Sequence, residues 1–173
     1  MVQVRGPGWT PSDAYYQCRY AVLRQPLGFD RGAEQLADDS EAIHAYVESE
    51  NDDIVCVGSA HLIPSDSDGS QSDFPGAKGP KTPSFSPLLE HENRPAIQIR
   101  QMGTLQTSRR MGLAAQVLEA LEREAKLIFS AKIGLLQARE EAIPFYEATG
   151  WAIIDRPYSI PNVGPHCSMM KVL

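Results

Sequence analysis

Apolar residues along the chain fall into helical and strand-like stretches. Tyr15, Cys18, Val22 and Leu23 recur at spacings of three and four, which predicts a helix over about 11–24 with this face buried. Thr10-Pro11-Ser12-Asp13 opens it, with a capping hydroxyl, a proline suited to the first helical position and an acid for the helix dipole. Pro26 and Gly28 close it. From Ala42 to Pro64 two apolar runs flank the turn-forming Asn51-Asp52-Asp53, predicting an antiparallel hairpin with strands over 42–48 and 54–63. His44, Glu48, Ser59 and His61 interrupt these runs, so both strands are expected to be only half buried. A strand follows over 96–105. A helix over 111–129 comes next, its apolar stripe made of Ala114, Val117, Leu118, Leu121, Ala125 and Ile128, with Glu119, Glu122, Arg123 and Lys126 toward solvent. Residues 133–138 read as a buried strand and 140–149 as a short helix, where Pro144 is tolerated in the first turn and Gly150 is the stop. Strands over 151–155 and 166–172, joined by a surface loop over 156–165, complete the chain.

Between Pro64 and Pro95, 15 of 32 residues are Pro, Gly or Ser, so this stretch reads as a flexible insertion. Within it, Gly76-Ala77-Lys78-Gly79-Pro80-Lys81-Thr82 resembles a phosphate loop only faintly. It lacks the glycine-to-lysine spacing and no strand precedes it, so a solvated loop is expected. There is no repeat and no second boundary. The expectation is a single domain spanning 1–173, of mixed α/β (α+β) class.

Charge and cysteines narrow the function classes. Lys and Arg number 16 against 22 Asp and Glu, a formal charge of −6, which disfavours nucleic acid and anionic membranes as partners and is compatible with a cationic amine. Cys18, Cys56 and Cys167 are widely spaced with no C-x-x-C, arguing against a disulfide framework or a structural zinc site. No run is long and apolar enough for a membrane helix and the first ten residues do not read as a secretory signal, so a cytoplasmic location is expected.

The candidate chemistry lies in Leu105-Gln106-Thr107-Ser108-Arg109-Arg110-Met111-Gly112-Leu113-Ala114-Ala115, between a strand and an amphipathic helix. Small residues let a ligand approach the backbone, and the N–H groups of a helix start attract phosphate. Further on, Ala142-x-x-Phe145-Tyr146-x-x-x-Gly150-Trp151 follows a second strand. Arg109-x-x-Gly112-x-Ala114 is similar to the pyrophosphate loop of the GNAT superfamily of N-acetyltransferases, and the second segment resembles its Ala-x-x-Phe-Tyr-x-x-x-Gly-Phe motif with Trp for Phe. Gly164-Pro165-His166-Cys167-Ser168-Met169 resembles the ending of some members, including the ElaA-like branch.

The resemblance, covering about 97–173, implies a GNAT-like fold: a mixed, mainly antiparallel central sheet flanked by helices, with acetyl-CoA in a V between two splayed parallel strands ending near Leu105 and Ala138. It implies pyrophosphate bound by Arg109 and the N–H groups of Arg110, Met111, Gly112, Leu113, Ala114 and Ala115, and pantetheine paired with the backbone of Met102, Gly103, Thr104 and Leu105, with Phe145 beside them. Tyr146 is the implied acid for the departing thiolate, and no metal is required. Many relatives carry a basic glutamate on the strand before the loop, but here Gln98, Arg100 and Gln101 occupy it. The base candidates are therefore His166, His61 and Glu90-His91-Glu92, and His166 is preferred. The implied activity is direct acetyl transfer to a primary amine of a small molecule or peptide, entering among the first helix and the loops around Phe29–Leu36 and Arg156–Pro165. Trp9, Tyr15, Tyr16 and Tyr20 either line that entrance or pack. Dimers are common for this fold, so a homodimer is compatible with it. The rival readings are a non-catalytic acyl-CoA-binding regulatory module and a nucleotide-binding domain.

Overall fold

A computed structural model describes residues 1–71, 81–86 and 88–173. Gly76 to Pro80 of the faint phosphate-loop resemblance lie outside the described residues. In chain order the elements are β1 (Val2–Arg5), α1 (Asp13–Leu23), β2 (Ile43–Glu48), β3 (Ile54–Leu62), β4 (Ala96–Thr104), α2 (Leu113–Phe129), β5 (Ile133–Arg139), α3 (Ile143–Ala148), β6 (Ala152–Ile153), β7 (Tyr158–Ile160) and β8 (Gly164–Val172). The strands form one mixed sheet in the order β1-β2-β3-β4-β5-β8-β6, with β7 also on β8. Only β4 and β5 run parallel, and they pair only from Ala96–Gln98 to Ile133–Leu135. The predicted mixed, mainly antiparallel sheet with flanking helices is therefore what the chain forms.

Three local readings differ from the sequence expectation. Ser12, rather than Thr10, caps α1, its hydroxyl accepting from the N–H of Tyr15. Val2–Arg5, which has no predicted element, adds an edge strand to β2, because alternation over four residues is too short a signal to separate from a loop. The loop over 156–165 contains β7, which folds back on β8.

The expected half burial of the hairpin is also overturned. His44, Ser59 and His61 are buried, because α1 covers one sheet face while α2 covers the other. They belong to a polar network. Buried Arg19 donates through Nη1 to both Asp39 carboxylate oxygens, at 2.9 and 3.0 Å, and to the Glu34 carbonyl at 2.9 Å. The Tyr15 hydroxyl donates to the Gly58 carbonyl at 3.0 Å and lies 3.1 Å from His44 Nδ1, while His44 Nε2 donates to the Asp39 carbonyl at 2.7 Å. Trp9 packs edge-on against Tyr15, so these aromatics are core rather than pocket lining.

This network predicts a pH dependence. Burial, the largest influence on His44, lowers its pKa to about 4 from the ordinary 6.5. The unfolded chain therefore takes up the proton first, and stability is full above pH 6.5 and lost as pH falls toward 4, by about 3 kcal/mol at roughly 1.36 kcal/mol per pH unit. His61, also lowered by burial, adds to the same slope. Urea unfolding at pH 7, 5.5 and 4.5 should show this decline, and His44→Asn should flatten it; a level wild-type profile would exclude a buried neutral His44.

The described flanks of the insertion are packed. Phe85 and Leu89 are buried with Ile63, Ala96, Ile133 and Leu135 on the sheet, and the Arg94 guanidinium donates to the carbonyls of Leu89, Pro64 and Ser67. All three cysteines are buried and unpaired, as their spacing suggests. Among the described residues no helix is long and apolar enough to cross a membrane.

Candidate active site

The V arises because its two arms follow different partners. β5 pairs with β8 along its whole length, from Ile133 with Val172 to Arg139 with His166. β4 stays with β3 as far as Thr104, opposite Cys56. Beyond Gln98 the two parallel strands separate, and the β5-facing edge of β4 is left without a strand partner. Between Val57 and Ser59 the register slips so that Gln101 and Met102 together face Gly58, a β-bulge with Gln101 in the left-handed region at φ 55°. A bulge takes a backbone group out of the ladder and re-aims it. Gly58 permits this arrangement, since a Cβ there would sit 2.3 Å from the Met102 sulfur.

The resulting cavity, of about 330 Å³, is walled by β4 and β5, with Val22, Leu23 and Arg24 of the first helix's end on one side. Met102, Gly103, Thr104, Arg109, Tyr146 and His166 all line it, so most of the predicted catalytic and strand residues converge. Leu105 does not: its N–H donates to the Val55 carbonyl and its own carbonyl accepts from Ser108, so both backbone groups are used within the chain.

Of the predicted loop only Arg109 lines the cavity, and Arg110 to Ala115 follow it outside the lining; Arg110 (φ 63°) and Gly112 (φ 75°) are left-handed, and α2 starts at Leu113 with no side-chain cap and no acid in its first turn. Backbone in which such residues alternate with right-handed ones turns successive N–H groups toward one concavity. The first helical bond runs from the Gln116 N–H to the Gly112 carbonyl, so the N–H groups of Leu113, Ala114 and Ala115 have no acceptor within the helix. These donors, the positive helix end and the adjacent Arg109 and Arg110 suit a pyrophosphate. Met111 is exposed beside them. Arg109 is held by its Nε–H, which donates to the Thr104 carbonyl at 3.3 Å.

Tyr146 is buried in α3, its ring edge-on to Phe145 and Trp151 at 5.0 and 6.1 Å between centroids. Phe145 itself packs against the core rather than into the cavity. Trp151 covers Gly134, where a Cβ would come within 2.7 Å of its ring, and its Nε1–H donates to Glu122 Oε1 at 2.9 Å. Glu122 also accepts from Lys171 at 2.7 Å, so it is a partly buried anchor rather than the fully solvent-facing residue its helical position suggests. Burial pushes the Tyr146 phenol above its ordinary value, which keeps it protonated.

His166 is buried on β8, stacked on Tyr158 at 6.2 Å, with Nδ1 2.8 Å from the Gly164 carbonyl. A carbonyl only accepts, so Nδ1 carries a hydrogen. The other base candidates lie elsewhere. Glu90, His91 and Glu92 are exposed on a turn, and His61 is clamped between Asp38, 2.9 Å from Nδ1, and Ser59, 2.9 Å from Nε2, outside the main cavity. Unlike Tyr146, this clamp has no sequence signal, because Asp38 and His61 meet only through the fold.

The fold with this split strand pair is shared with solved structures of N-acetyltransferases. The chain superposes over 99% of its length on an acyl-CoA N-acyltransferase from Pseudomonas aeruginosa, covering 99% of that chain with a TM-score of 0.65 and 14% identity. Escherichia coli ElaA aligns with 99% of each chain, a TM-score of 0.63 and 16% identity. An aminoglycoside 6'-N-acetyltransferase complexed with coenzyme A gives 0.63 at 12% identity, over 99% of this chain and 96% of that one. The likeness is one of fold, and no family model and no curated protein sequence matches the chain.

Proposed function

We propose that the protein is an acetyl-CoA-dependent N-acetyltransferase that acetylates a primary amine directly. The observation that carries this reading is the convergence of the β4 bulge, Tyr146 and His166 on one cavity that is also lined by Arg109, just before the uncapped start of α2. Acetyl-CoA supplies the acetyl group as a thioester. The N–H groups of Leu113 to Ala115, with Arg109 and Arg110, hold its pyrophosphate, and the free edge of β4 from Met102 to Thr104 pairs with its pantetheine arm. The bulge directs backbone polarity to the point where negative charge develops on the acyl oxygen. His166, which lines the same cavity, takes the proton that the amine loses on attack, directly or through a water. Tyr146 Oη holds the proton that the leaving sulfur takes up. The proton lost by the amine thus has an acceptor in His166, and the proton taken up by the sulfur has a donor in Tyr146.

Calorimetric titration tests the reading. Acetyl-CoA is expected to bind with a Kd in the micromolar range while ATP does not, and thiol release should follow on adding an amine acceptor. Binding of ATP with none of acetyl-CoA would refute it in favour of a nucleotide-binding domain, and acetyl-CoA binding with no turnover over a broad amine panel would favour a regulatory acyl-CoA sensor.

A further inference from the structure

Alternate side chains of a strand share one face of the sheet, so His166 and Ser168 of β8 emerge side by side. His166 lines the V, and Ser168 lines a separate cavity of about 300 Å³. That second cavity is bounded by Ser84, Phe85, Ser86 and Leu88 of the insertion's flank and by Ile154 and Asp155 just after β6. Gln137 joins the two. It lines the V, pairs in register with Ser168 and donates to the Pro83 carbonyl, next to Ser84, at 3.3 Å. It is also the last rung of a glutamine ladder, in which Gln71 donates to Gln98 and Gln98 to Gln137 at 3.5 Å, tying the flank to the sheet.

Asp155 is fixed against Ser168 by the backbone. The Ile154 N–H donates to the Ser168 carbonyl at 3.0 Å, and the Ser168 N–H donates to Asp155 Oδ1 at 2.7 Å. Among the described residues Oδ2 has no hydrogen-bond partner, no Lys or Arg pairs with the carboxylate, and it is the only charged group in the lining. Serine hydroxyls beside it can accept N–H groups, while Phe85, Leu88 and Ile154 offer apolar wall. A carboxylate oxygen, hydroxyls and apolar wall together suit an ammonium group at the end of an alkyl chain. The pocket also touches the candidate active site: the Ser168 hydroxyl lies 3.2 Å from Tyr158 Oη, and the Tyr158 ring stacks on His166. At about 3.3 Å per residue, His166 and Ser168 stand about 7 Å apart along the strand, the span of a short alkane diamine.

Resting on the acetyltransferase reading, we propose that the acceptor is a diamine, and that Asp155 holds its distal ammonium while the near amine meets the thioester beside His166. Asp155 is then a specificity-determining residue. An amine with a neutral tail leaves its carboxylate unanswered and is a poorer acceptor.

The test compares putrescine and cadaverine with n-butylamine and n-pentylamine, which keep the alkyl chain and lose the second charge. Each is titrated calorimetrically into the protein in excess CoA and then assayed for thiol release with acetyl-CoA. At least one diamine is expected to bind about tenfold or more tightly than its monoamine, the order of a hydrogen bond to a charged group. Asp155→Asn, whose amide oxygen can still accept from the Ser168 N–H, should erase that preference in protein that still binds CoA. The proposal is overturned if the monoamines bind as well as the diamines or if no diamine binds the wild type, and neither result depends on the variant folding. A preference that survives Asp155→Asn would overturn it as well. Thiol release with monoamines and diamines alike would refute the diamine subsite and leave the acetyltransferase reading. Diamine binding that requires Asp155 but gives no thiol release would refute the catalytic reading and leave the subsite standing.

Discussion

Replacing Gly112 by glutamate is expected to abolish acetyl-CoA binding while leaving the fold intact. The position is open to a Cβ, whose nearest atom would be Gln116 Nε2, the end of a flexible side chain, at 4.0 Å. Its φ of 75° costs any L-residue about 1 kcal/mol, a stability penalty that Gly112→Ala shares. What Glu adds is a negative charge where the helix start and two arginines are proposed to bind pyrophosphate. A like charge about 4 Å from a phosphate is worth roughly 4 kcal/mol near a protein surface, or about a thousandfold in Kd. Calorimetry should therefore find near-normal affinity in Gly112→Ala and none measurable in Gly112→Glu. Affinity within threefold of wild type in the Glu variant would move the pyrophosphate site elsewhere.

The same loop illustrates what the sequence makes legible. Arg109-x-x-Gly112-x-Ala114 and Phe145-Tyr146 are local patterns, and local geometry realises them: a left-handed glycine, a helix start, and a short helix that turns Tyr146 inward. The V is legible only indirectly, because it depends on β5 following β8 over seven register pairs while β4 follows β3. Periodicity failed where polarity and burial part company. Arg19 lies fully buried on a helix face read as apolar, because Asp39, twenty residues away, meets its charge. His44, Ser59 and His61 look like interruptions of half-buried strands, yet each finds a partner under α1. Such partners meet only through tertiary packing, which no spacing rule encodes. Likewise, the Gln71–Gln98–Gln137 ladder joins two strands to a segment that composition marks only as loop. The net charge likewise says nothing of local charge: the cavity collects arginines from α1's end, β4, the loop and β5, four separate stretches.

Tyr146→Phe separates chemistry from binding. The ring's contacts with Phe145 and Trp151 persist in phenylalanine, and the hydroxyl makes no hydrogen bond among the described residues, so stability should change by less than about 1 kcal/mol. Affinity for acetyl-CoA should also hold, because the backbone groups proposed to bind pyrophosphate and pantetheine lie elsewhere. Turnover is expected to fall by about 10²–10⁴-fold, the usual worth of a positioned proton donor. Burial holds the wild-type phenol above its ordinary value, so Tyr146 stays protonated across the usable range and contributes no alkaline limb to kcat below pH 10. The same burial raises the basicity of a thiolate formed beside it, which is what allows so weak an acid to serve. A variant with wild-type kcat would remove Tyr146 from the acid role and make it a packing residue. A fall in kcat matched by an equal weakening of acetyl-CoA binding would place its contribution in the cofactor cleft instead. Only loss of kcat at constant Kd fits a proton held for the leaving sulfur.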